Sequence, residues 1–214
     1  MRSLVFARVL AVVCALVAPR SFAKDLSAED LRTLQSKLKS GDFLAVDFQQ
    51  TKTTPMRGKK TKRDGKAIFA KPDKFKWMLE TPKQEYKIYD GKDFYDYEPS
   101  TKSAVRFSAT GPNAYELKQI VDLVLNFDTL LKRYDVVKAD EDKGIVSVTL
   151  KPKVENEITG VGLKLDLKDS FISYLKFELR DKTVLEHEFK NPVRKPVGDD
   201  AFALPKGVKV TETN

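Results

Sequence analysis

The sequence predicts a mainly β protein with some α: one strongly curved antiparallel sheet of about ten or eleven strands, an incomplete β-barrel with helices over its mouth. Three observations predict it. Apolar residues alternate at period two along most of the chain. The alternating segments are separated by short turn signals, so successive strands form an antiparallel meander, and a meander this long curls to bury its apolar face. Two segments change to apolar spacings of three and four, the pattern of amphipathic helices.

The first 23 residues precede this pattern. Arg2 and Arg8 lie beside an uncharged run from Val9 to Ala18, and Ser21-Phe22-Ala23 places small residues at −3 and −1 of a cut after Ala23. That order is a secretory signal peptide; the run is too short to span roughly 30 Å of hydrocarbon. The expected division is therefore 1–23 as a cleaved signal and 24–214 as one domain. Cys14, the sole cysteine, lies within the signal, so the exported chain has no thiol for a disulfide, a thiolate metal site or a nucleophile. Losing Arg2, Arg8 and Arg20, and no acids, takes the net charge from +8 to +5 over the remaining 191 residues.

The domain opens with a helix capped by Ser27, with Asp30 three residues later as a capping-box variant, an apolar stripe of Leu31, Leu34 and Leu38, and Gly41 to stop it. Leu44, Val46 and Phe48 share one face of the first main strand. The basic run Lys59, Lys60, Lys62 and Arg63 reads as a solvated loop. Strands follow at Gly65–Ala70, at Phe75, Trp77 and Leu79, and at Glu85–Tyr89. Asp90-Gly91 is a hairpin signal of the type I′ kind, returning through Phe94 to Tyr97. Val105 and Phe107 mark another strand. Between Asn113 and Leu131 the period changes, and Leu117, Ile120, Val121, Val124 and Leu125 form a broad apolar helical face. Strands resume at Tyr134–Lys138, Ile145–Leu150, Val161–Leu167, Phe171–Leu179 and Val184–Phe189, with a last short one around Val208 and Val210.

The parts for catalysis are missing, so no enzyme is expected. The single histidine, His187, lies between Glu186 and Glu188 in phase with Leu185 and Phe189, the setting of a packed residue rather than a general base. No metal site is expected, because zinc needs three or four ligands and the acidic stretches Asp140-Glu141-Asp142 and Asp199-Asp200 lack calcium-loop spacing. No glycine-rich phosphate loop or exposed-serine elbow occurs, and no cofactor is implied. Export makes nucleic acid a poor partner for the basic residues. Aromatic residues crowd the strands from Phe43 to Phe107. They fit a filled core first, and as the second reading a sheet wide enough to hold a ligand.

Five blocks in order resemble the periplasmic outer-membrane lipoprotein carriers of the LolA type. They are Phe48-Gln49-Gln50-Thr51, the block from Gly65 through Lys71-Pro72-Asp73 to Phe75-Lys76-Trp77, and the hairpin from Tyr89-Asp90-Gly91 to Glu98-Pro99. Leu150-Lys151-Pro152-Lys153 and the closing run Phe202 to Val208 complete the set. The resemblance implies an incomplete barrel lidded by helices, which takes the acyl chains of lipoproteins from an inner-membrane lipoprotein-releasing ABC transporter. It then passes them to an outer-membrane receptor, where one exists. It implies a soluble periplasmic monomer, an acyl-chain pocket walled by Phe48, Phe69, Phe75 and Trp77, and a lid helix whose apolar underside is Leu117, Ile120, Val121 and Val124. Family members commonly carry an arginine latch where this chain has Lys71, a point donor without the planar guanidinium fork. The alternative is an envelope lipid-binding or sensing module of the same fold. A hydrolase or sugar-binding protein lacks its parts.

Overall fold

A computed structural model describes residues 24–37, 42–55, 58–108, 118, 120–121, 123–125 and 130–212. The signal segment 1–23, Leu38, Gly41 and Leu117 lie outside the described residues. The strands are β1 (Lys24–Asp25), β2 (Phe43–Thr54), β3 (Lys59–Ala70), β4 (Lys74–Leu79), β5 (Glu85–Tyr89), β6 (Phe94–Glu98) and β7 (Ser103–Phe107). They continue as β8 (Tyr134–Asp142), β9 (Ile145–Pro152), β10 (Ile158–Asp166), β11 (Phe171–Leu179), β12 (Val184–Val193) and β13 (Lys209–Glu212). The helix α1 (Ala28–Lys37) precedes β2, and short helical turns occur at Leu130–Arg133 and Asp199–Phe202.

Local chemistry sets each end. At α1, Ser27 Oγ accepts from the Asp30 N–H at 3.1 Å, while Asp30 Oδ2 accepts from the Ser27 hydroxyl at 2.7 Å and its N–H at 2.9 Å. The Ser27 hydroxyl and N–H hold the Asp30 carboxyl below the usual carboxylate range. Leu31 is buried and Leu34 packs against the core, so one face of α1 docks on the sheet. The β5–β6 hairpin forms, but not with a type I′ turn. Gly91 alone takes a positive φ, +99°, and the carboxylate of Asp90 accepts from the N–H groups of Lys92 and Asp93 at 2.8 and 2.9 Å. That side-chain cap supports a four-residue loop, Asp90 to Asp93, instead of a two-residue one.

Among the described residues thirteen strands join in one curved, unclosed sheet, in the order β1-β8-β9-β10-β11-β12-β2-β3-β4-β5-β6-β7-β13. It is two antiparallel meanders, β2–β7 and β8–β12, sewn together where β12 pairs β2. The count exceeds ten or eleven, and one pairing is not antiparallel: β13 runs parallel to β7. A two-residue β1 shows no periodicity, and the partner of a four-residue edge strand is chosen by tertiary contact.

The largest departure is at the basic run. Lys59, Lys60, Lys62 and Arg63 are not a loop but the first half of β3, paired without a break against β2 from Phe43↔Ala70 to Thr54↔Lys59. Thr51, Thr53, Thr54 and Thr61 are β-branched and favour the strand, which continues beyond the end of β4. The meander order has a second consequence. The chain leaves one meander at β7 and enters the other at β8, near opposite ends of the sheet, so the connection must cross the sheet. The described residues of that connection, 118, 120–121 and 123–125, lie on the core: Ile120, Val121, Leu123 and Leu125 are buried, and Val124 packs beside them.

Candidate functional site

The site is built from period-two phase. Leu44, Val46 and Phe48 on β2, Ala67 and Phe69 on β3, Phe75, Trp77 and Leu79 on β4, and Leu185 and Phe189 on β12 all enter one apolar core. Cross-strand register then brings the rings together. Phe48 stacks on Trp77 with centroids 3.9 Å apart, Phe69 meets Trp77 edge-on at 6.4 Å, and Phe75 meets Phe94 at 5.3 Å. Gly65 is registered opposite Phe48, and a Cβ there would lie 2.5 Å from the Phe48 ring. The missing side chain is what lets that ring lie across β3 toward Trp77.

Behind these rings sits His187, fully buried. Trp77 stands edge-on to it at 5.3 Å and Phe189 stacks at 6.1 Å. The Gln50 amide nitrogen lies 3.0 Å from Nε2, so with the amide donating the ring proton belongs on Nδ1, which has no hydrogen-bond partner. Burial pushes the imidazolium pKa down to about 3, so the ring is neutral at ordinary pH. His187 is a packed polar residue in an aromatic wall.

Two cavities flank the crossing segment. The first, about 400 Å³, has an apolar floor of Trp77, Leu79, Ile120, Leu179 and Leu185 and a polar rim that includes Gln50, Lys52 and Arg63. Its size falls within the range of small-ligand pockets. The second, about 330 Å³, is lined by Pro72, Asp73, Phe75, Tyr89, Lys118, Val121 and Arg133. Ile120 faces one and Val121 the other, so the crossing segment separates them. Of the four expected wall residues, Trp77 faces the first cavity and Phe75 the second. Phe48 flanks a third hollow of about 340 Å³ with Asp64 and Gly65, and Phe69 is wholly enclosed in the core.

Lys71 is exposed, its N–H bonded to the Asp42 carbonyl at 2.8 Å, and it adjoins the Pro72 and Asp73 rim of the second cavity. A contact across that rim is made by other residues: Lys118 Nζ stands over the Tyr89 ring at 5.9 Å. Burial raises the Tyr89 hydroxyl above its ordinary pKa, with Asp73 adding to the shift, so Tyr89 stays a neutral aromatic platform. The pair Lys118–Tyr89 was not evident in the sequence, because nothing local joins residue 118 to residue 89. Leu179 and Leu185 were likewise visible as strand residues but not as cavity wall.

The fold has a solved counterpart. A conserved protein of Thermus thermophilus superposes with a TM-score of 0.52 at 11% identity, over 88% of this chain and 100% of its own. The family model described as outer membrane lipoprotein carrier protein LolA matches residues 40–205, which runs from before β2 to beyond β12. The chain belongs to the LolA family. An outer-membrane lipoprotein carrier protein of a Shewanella species (strain W3-18-1) is 27% identical over 94% of this chain and 95% of its own length. One from Shewanella baltica is 32% identical over 62% of this chain and 67% of its own. The LolA match spans the sheet from β2 to β12.

Proposed function

We propose that this LolA-family protein is a periplasmic carrier of lipoproteins, non-catalytic, that shelters their acyl chains between the aromatic face of the sheet and the 118–125 segment. The match of the family model across β2–β12 carries this reading. The physics supports the need for a carrier: each methylene moved from an apolar site into water costs about 0.8 kcal/mol, so an acylated protein does not cross an aqueous compartment unaided. The cavity on Trp77, Leu79, Ile120, Leu179 and Leu185 is the entry point, and cargo enlarges it by displacing the crossing segment. Cargo comes from an inner-membrane lipoprotein-releasing ABC transporter and goes to the outer membrane, through a receptor where there is one.

The wall residues are Phe48, Phe69, Phe75 and Trp77, and the lid underside is Ile120, Val121 and Val124, with Leu117 as its expected continuation. Lys71, beside the rim that Lys118 and Val121 share, helps hold the lid closed. Purifying the protein from the periplasm and analysing what accompanies it by mass spectrometry tests the carrier role. Acylated polypeptides are expected, and depletion leaves outer-membrane lipoproteins in the inner membrane. Absence of acylated species, with lipoproteins still correctly sorted on depletion, overturns the reading. For the latch, Lys71→Leu is expected to alter the rate of lipoprotein release; an unchanged rate removes Lys71 from the lid.

A further inference from the structure

The paired end of β2 and β3 reaches past β4, and its charge is one-sided in sequence. From Phe48 to Arg63 there are six basic residues and no acid. Strand phase distributes the described ones over both faces. Lys52, Lys59 and Arg63 continue the face that carries Phe48 and Trp77, while Lys60 and Lys62 lie on the opposite face. Arg63 is already engaged, by Glu85 at 2.8 Å and by the carbonyls of Thr81 and Lys83. Lys52, Lys59, Lys60 and Lys62 are exposed. Among the described residues no carboxylate lies within ion-pair distance of Lys59, Lys60 or Lys62, and the Lys62 ammonium meets only the Gln49 amide oxygen at 3.3 Å. Lys52, Thr61 and Arg63 also form the rim of the 400 Å³ cavity whose floor is Trp77, Leu79 and Ile120.

We infer that the β2–β3 tip is a docking surface for the anionic headgroups of a lipid bilayer, and that docking turns the cavity mouth toward the membrane. β12 flanks β2 as far as Thr53, so only the short end of the β2–β3 pair projects; its lysines, divided between the two faces, do not converge on one phosphate, and a protein packed on one face would leave those of the other unmet. A plane of anionic headgroups meets both faces at once. The orientation of the mouth rests on the carrier reading; binding to the surface does not. Each lysine near such a surface contributes about a fivefold gain in binding.

The test uses the exported protein, phosphatidylglycerol-containing vesicles, vesicles of phosphatidylcholine alone, and soluble polyglutamate. Binding to the anionic vesicles is expected at about 0.15 M salt and is lost near about 1 M, where the screening length shrinks from about 8 Å to about 3 Å. Replacing Lys59, Lys60 and Lys62 together by Gln is expected to weaken it about a hundredfold, with an unchanged circular dichroism spectrum and unchanged uptake of an acylated peptide. No binding to anionic vesicles, equal binding to phosphatidylcholine, or an unaffected triple variant overturns the inference. Polyglutamate binding as tight as vesicle binding also overturns it, in favour of an acidic protein partner. Vesicle binding without acylated-peptide uptake would refute the carrier role and leave the docking surface standing.

Discussion

Two residues in the aromatic wall carry sharp consequences. His187 is buried among Trp77, Phe48 and Phe189 with an orphaned Nδ1, and its pKa falls from 6.5 to about 3. Unfolded, the ring takes a proton near 6.5; folded, it resists until about 3. The unfolded state therefore binds the extra proton throughout that window, and stability is complete above 6.5 and lost as pH drops toward 3. Between about pH 7 and about pH 5 the loss from this group is about 2 kcal/mol. Urea unfolding of the wild type and His187→Leu at both pH values checks it: the variant is expected to have the shallower pH dependence, and parallel slopes would refute the assignment. Gly65 gives the second prediction. Its backbone is extended, so alanine should gain about 0.5–1 kcal/mol from the unfolded chain. The added Cβ instead meets the Phe48 ring and the Met78 carbonyl. Gly65→Ala is expected to lose about 1–3 kcal/mol in denaturant titration; a neutral or stabilising result would mean that Phe48 does not depend on that gap.

At the scale of elements, the lid proposed above is the part expected to move. Its described residues are held by the apolar contacts of Ile120, Val121, Leu123 and Leu125. The sheet beneath has its own hydrogen-bond ladder, although the segment's buried residues join its core, so the segment is expected to open without breaking that ladder. Ile120→Ser and Val121→Ser are each expected to accelerate limited proteolysis between β7 and β8 and to raise binding of an apolar dye. The global unfolding midpoint should change little. A midpoint that falls in step with the proteolysis would show segment and sheet to be one cooperative unit. Alternation at period two made the strands and their buried phase readable, including the shared face of Phe48, Phe69, Phe75 and Trp77. The β2–β3 extension was not readable, because a run of lysines and threonines has no apolar face and only pairing with a neighbouring strand makes it β. The cavity was not readable either: Leu179 and Leu185 come from the second meander and Ile120 from the crossing, and no local pattern states that they meet Trp77.

At the scale of the whole molecule, an unclosed sheet leaves two edges, and the protein treats the β7 edge with its C-terminal segment. Ile88, Tyr97 and Ala104 form a second small core, covered by Leu204 and Val208 before β13 pairs parallel to β7. Phe202, buried at 1% exposure, and the Lys74–Asp199 ion pair at 2.7 Å pin the start of this segment. Exposed pairs of this kind contribute little, so the covering of Ile88 and Tyr97 is the stronger hold. The outer strand it adds is short and fully exposed, with Lys209 and Glu212 at its ends, a form that discourages a further strand from adding. Arg106 on β7 is bound by Glu212 at 2.5 Å and faces Asp93 at 3.6 Å, which ties the added strand to the β5–β6 hairpin. Ending the chain after Phe202 removes Leu204, Val208 and β13 together. It uncovers Ile88 and leaves the unpaired N–H and C=O groups of β7 as a template. The truncated protein is expected to self-associate with rising concentration in light scattering, while ending the chain after Val208 keeps the small core and associates more weakly. If both truncations remain monodisperse and equally stable, the C-terminal segment is not what protects this edge.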